Sequence, residues 1–270
     1  MINNLKIGLI SDLHLHRKSD NVIKALKCVC DADILLLAGD LADSGEKGQY
    51  TLLRKCLDDI VPLIPVFCVS GNHDNPNRDD SNYRDFTTSI KDRTEGISVT
   101  EDNSGAYKAV ISEKLDLFGL NPVYHQKAFS FPNRGEQLAF LEKGLALSDA
   151  RYHIIMCHPP LISHNPQRGV GQSPYFSPEQ DSRLQSVADS HSNILFLSGH
   201  THITPSVELD KGRNNLYINN GSICPTTVKD GGGQTQQGNV TMLEFSDDGL
   251  SVRIFGIHTS KEFYREVVKI

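Results

Sequence analysis

An α/β fold is predicted, because apolar runs of strand length alternate with segments of helical spacing and are followed at once by polar motif residues. Residues 5–10 precede Asp12, 34–38 precede Asp40, 65–69 precede Asn72, 154–157 precede His158 and 194–197 precede His200. Buried strands that deliver functional side chains from their C-terminal ends produce this pattern.

The first runs are separated by helical stripes: Val22, Ile23, Leu26 and Val29 after Asp20, then Leu52, Leu53, Cys56 and Ile60 after Glu46. Together these make βαβ units, which require parallel pairing. Residues 135–147 place Leu138, Leu141 and Leu145 on one helical face, and residues 178–190 form another helix with Ser177 as its N-cap. Residues 107–111 and 115–120 flank a polar Ser112-Glu113-Lys114 and read as a hairpin. Val207, Tyr217 and residues 240–245 and 252–257 suggest further antiparallel strands, so the sheets are expected to be mixed. Residues 230–238 are Gly- and Gln-rich and read as a flexible loop between strands. No repeat or domain boundary is evident, and residues 1–270 are expected to form a single domain.

A chain of 270 residues can bury a large core without staples. With 27 Lys plus Arg against 33 Asp plus Glu, its net charge of -6 argues against affinity built on a nucleic-acid backbone. The six cysteines, at 28, 30, 56, 68, 157 and 224, are too sparse for a disulfide framework, and Cys28-Val-Cys30 lacks zinc-knuckle spacing. Reduced, mostly buried thiols are expected. No signal-peptide pattern opens the chain and no apolar run reaches membrane-spanning length, so a cytoplasmic protein without a membrane partner is expected.

Five motifs carry the chemistry: Asp12-Leu-His14, Gly39-Asp40-Leu-Ala-Asp43, Gly71-Asn72-His73-Asp74, His158-Pro-Pro and Gly199-His200-Thr-His202. Asp12, His14, Asp40, Asn72, His158, His200 and His202 offer only oxygen and imidazole nitrogen, donors that suit Mn, Fe, Zn or Ni. Two cations about 3.5 to 4 Å apart can clamp a phosphoryl group and activate a shared water. Asp40 is the best bridging candidate, since a carboxylate has two oxygens and Gly39 lets the chain turn close to the metals.

In this order the motifs resemble the calcineurin-like metallophosphoesterase family, with its pattern D-x-H, G-D-x-x-D, G-N-H-D/E, H and G-H-x-H. The resemblance implies a four-layer α/β/β/α sandwich with two central mixed β-sheets. It also implies two divalent or trivalent metal ions: Asp12, His14 and His202 would hold one, Asn72, His158 and His200 the other, with Asp40 between them. A metal-bridging hydroxide would attack phosphorus directly, without a covalent enzyme intermediate. His73 would stabilise the transition state and protonate the leaving oxygen, and Asp43 would orient His73.

Gln137-Leu-Ala-Phe140-Leu followed by Cys157-His158-Pro-Pro is similar to the cyclic nucleotide phosphodiesterase-like branch, with Phe140 in place of Trp and Cys157 in place of a first His. The expected substrate is therefore a small phosphodiester or phosphomonoester, a 3',5'-cyclic nucleotide among them. A DNA repair nuclease and a non-catalytic protein scaffold on the same fold are the alternatives. The acidic balance counts against the first, and retention of every motif residue against the second.

Several residues invite plainer readings. Asp43 and Asp74 can each be an Asx-turn former beside a ligand. His153 is read as solvent-facing ahead of its strand, leaving the strand end to His158. His16, His125, His164 and His191 lack motif support, although His16 and His164 are placed within reach of a substrate. Asn219-Asn-Gly-Ser222 resembles a turn that supports the family's site. Residues 75–85, with Arg78 and Arg84, and 163–176, with Arg168 and Tyr175, are read as polar loops at the rim.

Overall fold

Burial alternates along the first strands between two different apolar clusters, and that alternation builds the layers. The computed structural model describes the chain except residues 1–3, 126–127, 167–174, 203–204, 225, 228–234, 237, 247–248, 261 and 269–270. One sheet contains β1 (Leu5–Ile10), β2 (Ile34–Ala38), β3 (Val66–Val69), β16 (Asn239–Ser246), β17 (Gly249–Gly256) and β18 (Glu262–Val268), in the order β18-β17-β16-β1-β2-β3. β1, β2 and β3 run parallel, with Ile7 opposite Ile34 and Leu35 opposite Val66, while β16 pairs antiparallel to β1 through Leu5 and Phe245.

A second sheet contains β4 (Ser98–Glu101), β5 (Tyr107–Ser112), β6 (Leu115–Leu120), β9 (Tyr152–Cys157), β11 (Ile194–Ser198), β12 (Ser206–Asp210) and β13 (Asn215–Asn219). Its order is β12-β13-β11-β9-β6-β5-β4, parallel at the centre and antiparallel at both margins. Three short strands, β7 (Val123–His125), β8 (Ala128–Ser130) and β10 (Tyr175–Phe176), form a small separate sheet. A two-stranded ribbon joins β14 (Thr226–Thr227) to β15 (Thr235–Gln236); most of the expected 230–238 loop lies outside the described residues.

The two large sheets pack face to face: Leu9, Leu36 and Val69 share an apolar cluster with Ile154, Met156 and Leu197. The outer face of the first sheet, through Ile10, Leu35 and Leu37, is covered by α1 (Asp20–Cys28) and α2 (Lys47–Ile60), with α3 (Ser81–Ser89) beside them. On the outer face of the second, Ile155, Cys157 and Phe196 meet Leu138, Leu141 and Leu184 of α4 (Pro132–Ala146) and α5 (Pro178–Asp189). The result is the expected α/β/β/α sandwich with two mixed sheets. Ser177 caps α5 by accepting from Gln180 N. Among the described residues no helix is long and apolar enough to cross a membrane.

Two expectations are corrected. Residues 81–89 are helical rather than loop, because Tyr83 and Phe86, three apart, bury one face against the α2 side of the core. His153 lies inside β9 and is only 6% exposed, since the strand begins at Tyr152 and its outer face is covered near Phe118. All six cysteines are free; Cys56, Cys68 and Cys157 are buried, whereas Cys30 is exposed.

Candidate metal centre

The loops after five strands converge at one end of the two sheets. Asp12 N donates to Gly39 O and His14 N to Asp40 O, so the main chain after β1 runs alongside the turn after β2. Gly199 N donates to His158 O, which ties the β9 and β11 loops in the same way. Asp12, His14, Asp40, His200 and His202 all have positive φ, between 40° and 73°. Such backbone is costly for side-chain-bearing residues and persists where surrounding contacts enforce it. Gly39, at φ 86°, lies against the His158 ring: a Cβ there would fall 2.5 Å from Nδ1.

This geometry brings the candidate ligands into two groups that share one carboxylate. Asp12, His14, Asp40 and His202 form one group and Asp40, His158 and His200 the other, each with donor atoms within 4.8 Å of one another. His14 Nε2 and His202 Nε2 are 2.9 Å apart, His202 Nε2 is 3.1 Å from Asp12 Oδ1, and His158 Nε2 is 3.2 Å from Asp40 Oδ2. The Asp12 and Asp40 carboxylates are almost fully buried.

Two buried atoms, Asn72 Oδ1 and His200 Nε2, make no hydrogen bond among the described residues, while His158 Nε2 faces the Asp40 carboxylate 3.2 Å away. Leaving such atoms unsatisfied costs on the order of 1–3 kcal/mol each, so their presence together in one site calls for a partner. The electrostatics agree in sign. Burial opposes ionisation of Asp40, but His158 and His14 hold it far below the usual carboxylate range. Burial would likewise lower His158, yet Asp40 and Asp12 raise it to about 9. Burial and the neighbouring His158 push His200 down to about 3, leaving a neutral imidazole with a free lone pair. A negative, oxygen- and nitrogen-lined pocket that attracts positive charge fits a divalent metal ion.

The sequence model of the calcineurin-like phosphoesterase family matches residues 5–204. The chain belongs to this family. A Synechococcus protein named a probable cyclic nucleotide phosphodiesterase is 25% identical over 215 residues, 73% of each chain. A Fibrobacter succinogenes protein with the same description is 24% identical over 218 residues, 76% of each. Among solved structures, Plasmodium GAP50, an anchor in the inner membrane complex, superposes with a TM-score of 0.66 at 13% identity, covering 99% of this chain and 89% of that one. A Thermus thermophilus protein superposes at 0.55 and 12% identity, covering 98% and 100%. These likenesses show the fold.

In this chain His73 is held from two sides. Its main-chain N–H donates to Asp40 Oδ1 at 2.8 Å, and its Nδ1 lies 2.5 Å from the main-chain oxygen of Asp43. A carbonyl only accepts, so Nδ1 carries the proton. The Asp43 carboxylate, the expected partner, is 3.6 Å from His14 Nδ1, shares a group of donor atoms within 4.8 Å of one another with His14 and His73, and is half exposed. Asp74 is turned into the protein: its carboxylate accepts from the main chain at Leu41, Ala42 and Gly71 and from Tyr50 Oη at 2.8 Å. It thereby locks the Asp40 and Asn72 loops together.

Further hydrogen bonds surround the cluster. Asn219 Nδ2 donates to Gly199 O and Ser222 Oγ to Asp12 O, so the 219–222 turn supports both neighbouring loops. A second support escaped the sequence reading. Gln137 Oε1 accepts from Asn121 N, and Asn121 Oδ1 accepts from Ser70 N and Tyr83 Oη, which anchors the loop leading to Asn72. Asn121 directly follows the apolar run 115–120, so the pattern that located the other motif residues also points to it.

His164 is engaged elsewhere, stacked 3.5 Å from the Tyr217 ring and paired with Glu208 at 2.7 Å. His191 Nδ1 meets Val187 O, and His16 and His125 are exposed. Arg84 is exposed and paired with Asp80, Arg78 is exposed, and Arg168 lies outside the described residues.

Proposed function

We propose that residues 1–270 form one catalytic unit, a binuclear metallohydrolase that cleaves a small phosphoester, with a phosphodiester such as a 3',5'-cyclic nucleotide as the favoured substrate. The gathering of His158 and His200 on the Asp40 carboxylate, which is shared with His14 and His202, beside the buried and unsatisfied Asn72 Oδ1 and His200 Nε2, carries this reading. Asp12, His14 and His202 would hold one ion, Asn72, His158 and His200 the other, and Asp40 would serve both. When bound, two such ions activate a shared water and neutralise charge developing on the phosphoryl oxygens. The names of the curated relatives support the phosphodiester preference.

The chain's own residues supply the rest. With Nδ1–H fixed on Asp43 O, the His73 ring has a set orientation, and in its doubly protonated form it can pass the Nε2 proton to the departing oxygen and return to the neutral Nδ1–H tautomer. Asp74 and Asn121 keep the loops that carry Asp40 and Asn72 from drifting. The acidic net charge favours small substrates over long nucleic acid.

Metal-stripped protein reloaded with Mn, Fe, Zn or Ni is assayed on bis-p-nitrophenyl phosphate, cyclic nucleotides, linear diesters and monoesters. Hydrolysis is expected, and His73→Ala should reduce turnover by about 100-fold or more while two metals remain bound. A fully loaded wild-type protein that hydrolyses none of these esters would sink the proposal.

A further inference from the structure

A cavity of about 390 Å³ opens at the side of the sandwich, where β3 and α3 of one half face β5 and the 102–106 turn of the other. None of the candidate metal ligands lines it. Its volume is within the range of small-molecule sites, roughly 300–1,000 Å³. Val66, Phe67, Ile90, Val99 and Tyr107 form its apolar walls, and the Phe67 and Tyr107 rings lie stacked at 6.1 Å, 22° from parallel.

Two polar atoms on this lining are buried and make no hydrogen bond among the described residues: Asn75 Oδ1 and Ser104 Oγ. Asn75 is only 4% exposed. The turn that carries Ser104 is fixed rather than loose, because Asp102 N donates to Ala106 O and Gln137 Nε2 donates to Ser104 O. An amide oxygen and a hydroxyl held this way ask for a partner with an N–H donor and a second polar group.

The charges narrow the class. The cationic lining groups are already paired, Arg84 with Asp80 at 2.6 Å and Lys91 with Glu101 at 2.9 Å, while Asp102 adds a negative charge. A phosphate would find no uncommitted cation here, so the occupant carries no negative charge. Stacked aromatic and branched aliphatic walls suit a flat ring.

We propose that this cleft is a second binding site, separate from the metal centre, for a neutral nitrogen heterocycle of nucleobase or nucleoside size. Its N–H edge meets Asn75 Oδ1 and a second polar group meets Ser104 Oγ. The occupant also touches the support of the metal centre, since Ser70 and Asn121 line the cleft and Ser70 N donates to Asn121 Oδ1.

The test is calorimetric or ligand-observed NMR titration of the purified protein with adenosine, guanosine, cytidine and uridine, and with the four free bases. At least one nucleoside or base should bind, and a base that binds as well as its nucleoside would assign recognition to the ring alone. Ser104→Ala should weaken binding by at least about fivefold, the loss of one hydrogen bond. Val99→Trp, at a rim position 37% exposed, should abolish it by filling the mouth. Both variants should keep wild-type metal content and bis-p-nitrophenyl phosphate hydrolysis, so this outcome is read independently of the phosphoesterase proposal. Failure of all eight probes to bind the folded protein, or binding that neither variant weakens, would overturn the assignment.

Discussion

Replacing Gly71 with alanine would place a Cβ 2.1 Å from Asp40 Oδ1, 2.5 Å from Asp40 N and 2.8 Å from Asp40 Cγ. Gly71 does not adopt a left-handed backbone, so the substitution adds steric conflict without conformational strain. Unstrained carbon contacts settle near 3.5 Å, so the carboxylate, the loop or both must move by about 1.4 Å. Asp40 sits in both groups of candidate ligands, and its Oδ1 also accepts from His73 N. A shift of this size therefore disturbs every part of the proposed chemistry at once. A misplacement of about 1 Å costs on the order of 100-fold in turnover, or about 2.7 kcal/mol in barrier height. Metal content by mass spectrometry and kcat on bis-p-nitrophenyl phosphate are the readouts. Gly48→Ala is the control, because nothing lies within 4 Å of the added methyl in α2, and it should be neutral or mildly stabilising. If Gly71→Ala binds two metals per chain and turns over at the wild-type rate, the assignment of Asp40 to a shared, tightly packed position is wrong.

Other perturbations test the surrounding structure. Tyr50→Phe removes one donor to Asp74 and should lower stability by about 1.5–3 kcal/mol in a denaturant titration; an unchanged midpoint would show that the remaining main-chain donors suffice. Burial lowers the His153 pKa from 6.5 against the pull of Asp116, so the imidazole is neutral in both folded and unfolded chains above that pH. As pH falls through 6.5 the unfolded chain takes the proton first and stability is lost. His153→Gln should flatten that part of the stability curve, and identical curves would show that His153 protonates without cost. Chelation of metal should lower the melting temperature, because the buried Asp12 and Asp40 carboxylates lose their counter-charge, and added Mn should restore it, rising with the logarithm of the free ion concentration. A melting temperature insensitive to both treatments would contradict a metal bound in the folded state.

The five strand-and-ligand pairings were legible in the sequence because a buried parallel strand is apolar on both faces and ends abruptly at a polar residue. Helix α3 was not, since it carries only Tyr83 and Phe86 as buried positions among polar residues, which composition alone reads as loop. His153 was misread for a related reason. A single polar residue at the start of a strand gives no periodic signal, and its burial depends on what covers the sheet. The Asp43 geometry was beyond reach altogether, because a main-chain carbonyl leaves no mark in the sequence. Gln137 and Asn121 were visible as residues, but their partnership joins positions 16 apart through a turn that only the tertiary structure defines.

Asp12, His14, Asp40 and Asn72 hang from one sheet, whereas His158, His200 and His202 hang from the other. Strand β1, from which the first of them extends, lies between β2 and β16, and β16 ends at Ser246. During translation, then, a nascent chain presents Asp12, His14, Asp40 and Asn72 long before the three histidines that complete the set, and its first strand has only one of its two neighbours until β16 emerges. On the proposed ligand set, ion loading would be complete only after both sheets have closed, because a polypeptide that has not reached residue 202 carries only part of that set.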